Sequence, residues 1–438
     1  MSLLFLLGTR HAPITGDVWS ADLGAWRIAT TGTPWLDDVS PDQLPAAWDQ
    51  PEGVESGALW TAVNPGNGHR VVARSPGVVL AGVPAYAVAG WLGDGATGRL
   101  SDLPGSVTAA LLAALAATLL LAAALRLAPP RLACGAAAVA AVATPLWSVA
   151  GNDLWPHAVG VVGVAGMAWA AVHERWWLVG LLGGVALSGR LHLAVVVAVL
   201  GLGVALVRRR PSIALRVAAG SLPFVALSSW WGHWLYGSWS PTTGYAASTL
   251  GAWPASRSWP ERAGDVLGVL VSPGVGVLVW TPCLLVLLPA LPPAWRQAPD
   301  WVRMLAAGGV AYLLLQVYLN PFHGGTGFWG YRLPLETLAA CYPLLVLAAV
   351  RLGHRARTAV LALAGAQAGV LLIGVLFGRA SANEDGSPWR HSGILDAWGE
   401  NPAAFAVIVA TASAGAVLAG HRIGARGPVP AIEPHEAP

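Results

Sequence analysis

The sequence predicts an all-α protein, a polytopic transmembrane helical bundle of about 11–12 spans whose extracytoplasmic first loop contains juxtamembrane or interfacial helices. Two observations predict this class. First, 55% of the 438 residues are hydrophobic and only 11% are charged, whereas a soluble domain carries about 25% charged residues. Second, apolar runs of about 20 residues, the length that crosses a bilayer as a helix, recur along the chain. A soluble globular protein is therefore excluded.

The predicted spans follow one another with short loops between them. They lie near 105–127, 131–150, 157–173, 191–207, 213–236, 264–290, 302–319, 333–350, 358–378 and 402–420, with a shorter one at 176–189. Residues 75–93 are apolar as well, but Pro76, Pro84 and several glycines interrupt them. Proline removes a backbone donor and kinks a helix, so this segment differs from the other runs.

The arginines predict which side of the membrane each loop faces. All 25 basic residues are arginine. Their clusters fall in alternate loops, at Arg126/Arg131, His173/Arg175, Arg208–Arg210, Arg296/Arg303, Arg351/Arg355/Arg357 and Arg422/Arg426. By the positive-inside rule these loops are cytoplasmic. The acidic segment 9–74 is then outside, provided that 75–93 enters and leaves the membrane on one face, and we predict an interfacial or re-entrant helix there.

Four segments follow from this arrangement. They are a truncated first transmembrane helix (1–14), an extracytoplasmic loop with juxtamembrane helices and candidate catalytic residues (15–104), the transmembrane bundle (105–420) and a disordered cytoplasmic tail (421–438). The first helix is predicted to be truncated because Met1–Gly8 reach only about 12 Å, short of a hydrocarbon core of about 30 Å. Polar residues concentrate in the outer loops, so the active face is expected outside.

The first candidate site is the segment that starts at Thr15 and ends at Gly32. Asp17 opens a predicted helix, where a carboxylate is favoured by the helix macrodipole. Asp22 lies five residues further on, about 140° around the helix. We therefore expect one carboxylate to face a cavity and the other to face solvent. A capping residue followed by a solvated helix is the competing interpretation.

Two arginines near apolar runs are candidates for binding phosphate. Arg74 precedes the apolar segment 75–93, and the guanidinium fork can bind two phosphate oxygens at once. An anchor to lipid headgroups explains Arg74 equally well. Arg190 lies between two apolar runs, where an ionisable group is costly and often functional. Snorkelling of Arg190 to the membrane surface is the alternative.

Two outer loops carry further polar candidates. Asn152–His157 contains an acid and an imidazole, and the glycine-rich, aromatic segment Asn320–Pro334 ends in Tyr331 and Arg332 at a helix mouth. The second loop is typical of a shaped binding loop. It is not a nucleotide phosphate loop, because the G-x-x-x-x-G-K-[ST] pattern is missing. The sequence also contains no Cys/His spacing typical of a metal site.

Several motifs together resemble a known family. They are Asp17 to Gly32, Arg74-Ser75-Pro76-Gly77, Thr144–Trp147 through Leu154–His157, Leu235–Ser238 through Thr243–Tyr245, Ser272–Gly274 with Thr281-Pro282, and His323–Gly325 through Tyr331–Pro334. In this order, over roughly residues 15–350, they resemble the C-type (GT-C) integral membrane glycosyltransferases, the superfamily of protein O-mannosyltransferases and related bacterial enzymes that use polyprenyl-phosphate sugars. One departure is Val18, where many members have a second acid.

The resemblance implies a membrane glycosyltransferase at the extracytoplasmic face of the cell (plasma) membrane. It would move a sugar, with inversion, from a polyprenyl-phosphate donor in the bilayer to a glycan, lipid or protein acceptor of the cell envelope. The residues implied are Asp17 and Asp22 as catalytic acids, with Asp17 the general base; Arg74, Arg190 and Arg332 at the donor phosphate; and Asp153, His157, His323 and Tyr331 at the substrate. No cofactor is implied with certainty, and a divalent metal is left open.

Two other functions remain open. A transporter or lipid flippase needs charged or broken helices near the middle of the membrane, and the predicted spans contain almost no Asp or Glu. A catalytically inactive scaffold of a cell-envelope assembly is the third possibility. Nucleic acid is not expected as a partner, because the net charge is only +3 and none of the basic clusters suggests nucleic-acid binding.

Overall fold

A computed structural model describes residues 2–8, 15–44, 60–93, 98–242, 253–379 and 388–424, and it confirms the predicted all-α bundle. The N-terminal part contains α1 (Ser2–Leu6), α2 (Gly16–Thr31), the strands β1 (Thr61–Val63) and β2 (Arg70–Val72), and α3 (Pro76–Trp91). The remainder contains α4 (Leu103–Ala124), α5 (Pro130–Val142), α6 (Pro156–Val172), α7 (Trp176–Gly189), α8 (Ala194–Val207), α9 (Pro211–Tyr236), α10 (Trp253–Ser256), α11 (Trp259–Val271), α12 (Val277–Trp280), α13 (Cys283–Leu287), α14 (Leu291–Gln297), α15 (Asp300–Leu319), α16 (Leu335–Val350), α17 (His354–Phe377), α18 (Gly393–Glu400) and α19 (Pro402–Gly424).

The protein is a multi-pass membrane protein. In the described part of the chain, α4, α9, α15, α17 and α19 are long and apolar enough to cross a membrane, and several shorter apolar helices pack among them. Small residues let these helices approach closely, as in other membrane bundles. A Cβ added to Gly163 of α6 would lie 2.5 Å from the backbone of Ala186 in α7, and one added to Gly180 of α7 would lie 2.1 Å from the carbonyl oxygen of Val217 in α9.

The predicted span at 264–290 is wrong as a single helix. The structure divides this run into α11, α12, α13 and a final 3-10 turn. Ser272 and Pro273 end the first helix, and the indole N–H of Trp280 donates to Gly274 O at 2.8 Å. The run is apolar throughout, so its composition predicted a span, but the Ser-Pro-Gly and Thr-Pro sequences break the backbone.

Residues 15–44 and 60–93 form a cap that packs against the bundle. Its strands pair antiparallel with Thr61 opposite Val72. Its helix α3 has 16 residues and reaches about 24 Å, so it is shorter than a hydrocarbon core of about 30 Å. Length does not separate an interfacial helix from a span here, since α16, a predicted span, also has 16 residues. The interfacial position of α3 therefore stays a prediction.

The cap is fixed to the bundle by close backbone contacts of α3. A Cβ on Gly77 would lie 2.6 Å from the backbone N of Gly189, and the Ser75 hydroxyl donates to Gly189 O at 2.6 Å. Further along α3, a Cβ on Gly82 would lie 2.9 Å from the Cβ of Ala25 in α2. The start of α3 is thereby placed against the end of α7, and this contact brings Arg74 and Arg190 to one place.

The boundaries of the four predicted segments are not tested by the structure and stay predictions. Within the first, α1 packs into the bundle through Phe5, which is fully buried, and residues 9–14 lie outside the described residues. Within the last, α19 continues through Gly424, and 425–438 also lie outside. The same holds for the motif residues Thr243–Tyr245.

Candidate active site

Asp17 lies in the first turn of α2, where two arginines bind its two carboxylate oxygens. Arg74 Nη2 donates to Oδ1 at 2.6 Å, and Arg332 Nη1 donates to Oδ2. Arg74 follows β2, whereas Arg332 comes from the loop before α16 and lies 315 positions from Asp17 in the sequence. The contact therefore depends on the tertiary fold.

The two arginines determine the charge state of this carboxylate. Burial by itself would raise the pKa of Asp17, but the positive charges of Arg332 and Arg74 outweigh it and hold the pKa well below its ordinary value. Opposite charges at hydrogen-bond distance favour the ionised form of an acid. Asp17 is consequently a carboxylate at neutral pH, and a weak base while both arginines are bound to it.

Arg74 is held in place by aromatic side chains. The indole N–H of Trp231 donates to Arg74 O at 2.8 Å, and Arg74 N–H donates to the Tyr236 hydroxyl at 3.2 Å. That hydroxyl in turn donates to Val72 O at 2.7 Å. The guanidinium lies 5.2 Å from the ring centroid of Trp60, within reach of a cation–π interaction. The α9 motif and the cap thus fix one arginine together.

Arg332 is enclosed by the glycine-rich loop. Its guanidinium lies 5.1 Å from the ring centroid of Trp155 and 5.5 Å from that of Phe328. Gly324 has φ +72°, and a Cβ there would lie 3.0 Å from Arg332 Nε. The loop needs glycine at this position because the backbone is left-handed and a side chain would meet the arginine.

Arg190, at the end of α7, is bound to a buried polar network. Arg190 Nη1 lies 2.5 Å from His157 Nε2, and Nη2 donates to Gln316 Oε1 at 2.6 Å. His157 Nδ1 lies 2.9 Å from Glu336 Oε1. Four helices therefore meet at one guanidinium.

A cavity of about 150 Å³ lies where these groups meet. Its walls include three arginines, one carboxylate and two imidazoles, namely Arg74, Arg190, Arg332, Asp17, His157 and His192. Apolar and aromatic residues complete it, among them Trp60, Pro76, Pro156, Leu187, Leu191 and Trp231. Several guanidinium groups around an apolar-walled cavity suit an anionic headgroup that is attached to an apolar chain.

The expectation that one carboxylate of α2 faces a cavity and the other faces solvent holds for Asp17 only. Asp22, implied as a second catalytic acid, neither lines the cavity nor faces solvent. It is fully buried against α4, where a Cβ on Gly105 would lie 1.8 Å from its Oδ1. The nearby Tyr86 hydroxyl donates to Ser101 O at 2.7 Å. Burial, together with the neighbouring Asp153 carboxylate, raises the pKa of Asp22 well above its usual value. The helical spacing separated the two faces of α2 correctly but could not show that α4 covers the second face.

The other predicted substrate residues also lie apart from the cavity. Asp153 Oδ1 accepts from Leu154 N at 2.8 Å, and burial raises its pKa well above the usual value. His323 Nδ1 accepts from Gly325 N at 3.0 Å. The hydroxyl of Tyr331, 1% exposed, lies 2.7 Å from Thr281 Oγ1. Within the described residues no group of three His, Cys, Asp or Glu side chains could hold a metal ion.

Three residues at the site were missed by sequence reasoning. Glu336 and Gln316 are bonded to the cavity residues His157 and Arg190, and Trp60 lines the cavity. Glu336 begins an apolar run, and an acid in such a run is a functional candidate by default, so its signal was present. Trp60 carried no signal that separates it from an interfacial tryptophan belt. Trp231, which also lines the cavity, belongs to the aromatic segment Trp230–Gly237, which is typical of an interfacial belt but can also stack sugars or line an entry for a lipid tail.

Comparison with known proteins gives two solved structures. The crystal structure of ArnT from Cupriavidus metallidurans bound to undecaprenyl phosphate aligns with a TM-score of 0.47 and 14% identity, covering 97% of this chain and 76% of that chain. Its apo state aligns with a TM-score of 0.46 and 14% identity, covering 96% and 75%. No family model and no curated protein sequence matches the chain.

Proposed function

We propose that the protein is a GT-C type membrane glycosyltransferase that moves a sugar from a polyprenyl-phosphate donor to a cell-envelope acceptor. The observation that carries the proposal is the convergence of Asp17 with Arg74, Arg190 and Arg332 on one cavity. The proposal places this cavity at the extracytoplasmic face of the plasma membrane, as the arginine distribution of the loops favours.

The three arginines supply what a departing phosphate requires. As the bond between the sugar and the phosphate breaks, negative charge grows on the phosphate oxygens, and positioned guanidinium groups stabilise it. Their aromatic and hydrogen-bonded surroundings keep them in place before the lipid arrives. Apolar walls beside them accept the first part of the polyprenyl chain.

Asp17 supplies the base. The acceptor hydroxyl oxygen attacks the anomeric carbon from the side opposite the phosphate, so the configuration inverts. The carbon–oxygen bond to the phosphate breaks, its electron pair stays on the phosphate, and the hydroxyl proton passes to Asp17. This step requires the carboxylate to lie within about 3 Å of the hydroxyl.

Donor binding activates this base. A phosphate that binds Arg74 and Arg332 competes with Asp17 for the same guanidinium groups. As the arginines turn to the phosphate, the pKa of Asp17 rises toward its ordinary value, because the charges that lowered it are now shared. The carboxylate therefore becomes an effective base when the donor is present.

The test uses the full-length protein in lipid nanodiscs with radiolabelled polyprenyl-phosphate hexoses and pentoses and a cell-envelope extract as acceptor. We expect label transfer by the wild type and loss of transfer in Asp17→Asn. The matched control is Asp265→Asn, which makes the same change at a buried acid (3% exposed) paired with Arg257 at 2.6 Å. Full activity of a folded Asp17→Asn protein refutes the base assignment, and a wild type that transfers no label from any donor refutes the function.

A lipid flippase is a second candidate because two observations favour it. The break of 264–290 into short helices and the fully buried Glu336 are features that transporters use near the middle of the membrane. A flippase would move a fluorescent polyprenyl phosphate across a liposome membrane without transferring any sugar. The same protein preparation can be assayed for both activities.

A further inference from the structure

At the cavity, four polar side chains from different segments form one connected chain of hydrogen bonds. Gln316 of α15 accepts from Arg190 at the end of α7, and Arg190 contacts His157 of α6. His157 in turn contacts Glu336 in the first turn of α16. His157, Glu336 and Gln316 are 0–1% exposed, so this chain lies in the protein interior.

The direction of these hydrogen bonds follows from the arginine. A guanidinium only donates, so His157 Nε2, 2.5 Å from Arg190 Nη1, is the acceptor. The proton of the neutral imidazole is then on Nδ1, which donates to Glu336 Oε1 at 2.9 Å. Glu336 Oε1 is also 3.9 Å from Arg190 Nε. The carboxylate therefore orients the imidazole, and the imidazole orients the guanidinium.

The backbone leaves room for this carboxylate. A Cβ added to Gly160 of α6 would lie 2.8 Å from Glu336 Oε1. A charged side chain with no exposed surface is costly unless it is paired. Glu336 therefore occupies a position that fits it closely, 3.9 Å from the arginine it orients.

Glu336 also lowers the net positive charge of the cavity that a ligand enters. Arg74, Arg190 and Arg332 provide three positive charges, and Asp17 and Glu336 provide two negative ones, so the site has a net charge of +1 when the imidazoles are neutral. A phosphodiester, such as a polyprenyl-phosphate sugar, carries one negative charge and neutralises the site. A phosphate monoester carries close to two negative charges above pH 7, and it leaves the site with excess negative charge.

Building on the proposed function, we propose that Glu336, acting through His157, is a positioning residue that holds Arg190 and sets the cavity charge so that the site prefers a phosphodiester donor over the phosphate monoester product. Once Asp17 has passed its proton to water, the released lipid phosphate leaves readily, and it competes weakly with the next donor. Electrostatic differences of this kind are large where charges are shielded from water.

The test compares two lipids with the same alkyl chain, a phosphate monoester and its methyl diester, which carries one negative charge less. Dodecyl phosphate and methyl dodecyl phosphate are titrated at pH 8 against the full-length protein in detergent, with binding followed by calorimetry. In Glu336→Gln we expect the affinity for the monoester, relative to the diester, to rise about tenfold, since one negative charge near the phosphate is removed. Glu336→Asp should keep a ratio close to that of the wild type, and so should the control Asp265→Asn.

A second variant should change the ratio of monoester affinity to diester affinity in the opposite direction. Gln316→Glu puts a new carboxylate on Arg190 Nη2, so the monoester should lose affinity relative to the diester. This variant keeps the proposal testable if Glu336→Gln does not fold. A purely structural role for Glu336 predicts equal weakening of both lipids.

Each outcome has a separate meaning. Equal changes for the two lipids, or an unchanged ratio in folded Glu336→Gln or Gln316→Glu protein, overturn the inference and leave the proposed function standing. Failure of the wild type to bind either lipid contradicts the proposed function, and the inference falls with it.

Discussion

The two acids of α2 lie five residues apart and have opposite surroundings. Asp17 is bound by Arg74 and Arg332, and its pKa lies well below the ordinary value. Asp22 is buried against α4 beside Asp153, and its pKa lies well above that value. One helix thus carries an ionised carboxylate at a cavity and, in the interior, an acid whose ionised form is disfavoured by burial. This difference shows that the role of a carboxylate depends on which distant segments of the chain contact it.

The largest expected effect is on the rate of sugar transfer, where substitutions of Asp17 and Asp22 should have different consequences. Asp17→Asn removes the proposed base, and loss of a general base lowers rates by about 10²–10⁴-fold. Asp22→Asn changes an acid whose ionised form is already disfavoured by burial and which does not line the cavity, so sugar transfer should stay within about threefold of the wild type. Initial rates of label transfer in nanodiscs measure both. Equal losses in the two variants would falsify the distinction between them.

A middle-sized effect concerns the packing that buries Asp22. Gly105→Ala places a methyl group against Asp22 Oδ1, and overpacking of this kind costs about 1–3 kcal/mol. The double variant Gly105→Ala/Asp22→Ala should recover most of that stability, because the carboxylate is gone. Thermal unfolding in one detergent measures the four proteins of the cycle.

The control for this prediction is Gly135→Ala in α5. A Cβ at that position has no neighbour within 4 Å, and alanine is the better helix former. Gly135→Ala should therefore unfold at the wild-type temperature or above. If Gly105→Ala does the same, α4 does not press on Asp22 as described.

The bundle could be predicted from the sequence, whereas the arrangement of the site could not. Apolar run length and arginine placement indicate the helices, because both follow from the physics of a bilayer. Asp17, Arg74 and Arg332 were identified as candidates from their local setting. Their mutual contact was not predictable, since it joins segments more than 300 positions apart through the tertiary fold.

The errors have equally specific causes. Asp22 was expected to face either a cavity or solvent because helical spacing gives the angle between two side chains and not what covers each face. The predicted span at 264–290 failed because hydropathy averages over the breaks at Pro273 and Pro282. Glu336 was not considered although it is an acid in an apolar run, the pattern that most often indicates function in a membrane protein.

The smallest expected effect is on the pH dependence of stability. Asp22 has a raised pKa in the folded protein, so the folded state binds more protons than the unfolded state between the two pKa values. Stability therefore falls as the pH rises from the ordinary range of an aspartate toward the folded pKa. Asp22→Asn should remove part of this loss of stability. The remainder should persist, because the pKa of Asp153 is also raised.

Thermal unfolding from pH 5 to pH 8 measures this dependence. The wild type should lose stability with rising pH more steeply than Asp22→Asn. Parallel curves would mean that Asp22 is already ionised when the protein is folded.

The central claim is that Asp17 and the donor phosphate compete for Arg74 and Arg332, and the affinity of Asp17→Asn for a polyprenyl phosphate tests it most directly. Removing the carboxylate frees both guanidinium groups for the ligand. The account predicts that Asp17→Asn binds the lipid phosphate more tightly than the wild type while transferring no sugar, and that Asp22→Asn binds it as the wild type does. Weaker or unchanged binding by folded Asp17→Asn protein would contradict the account.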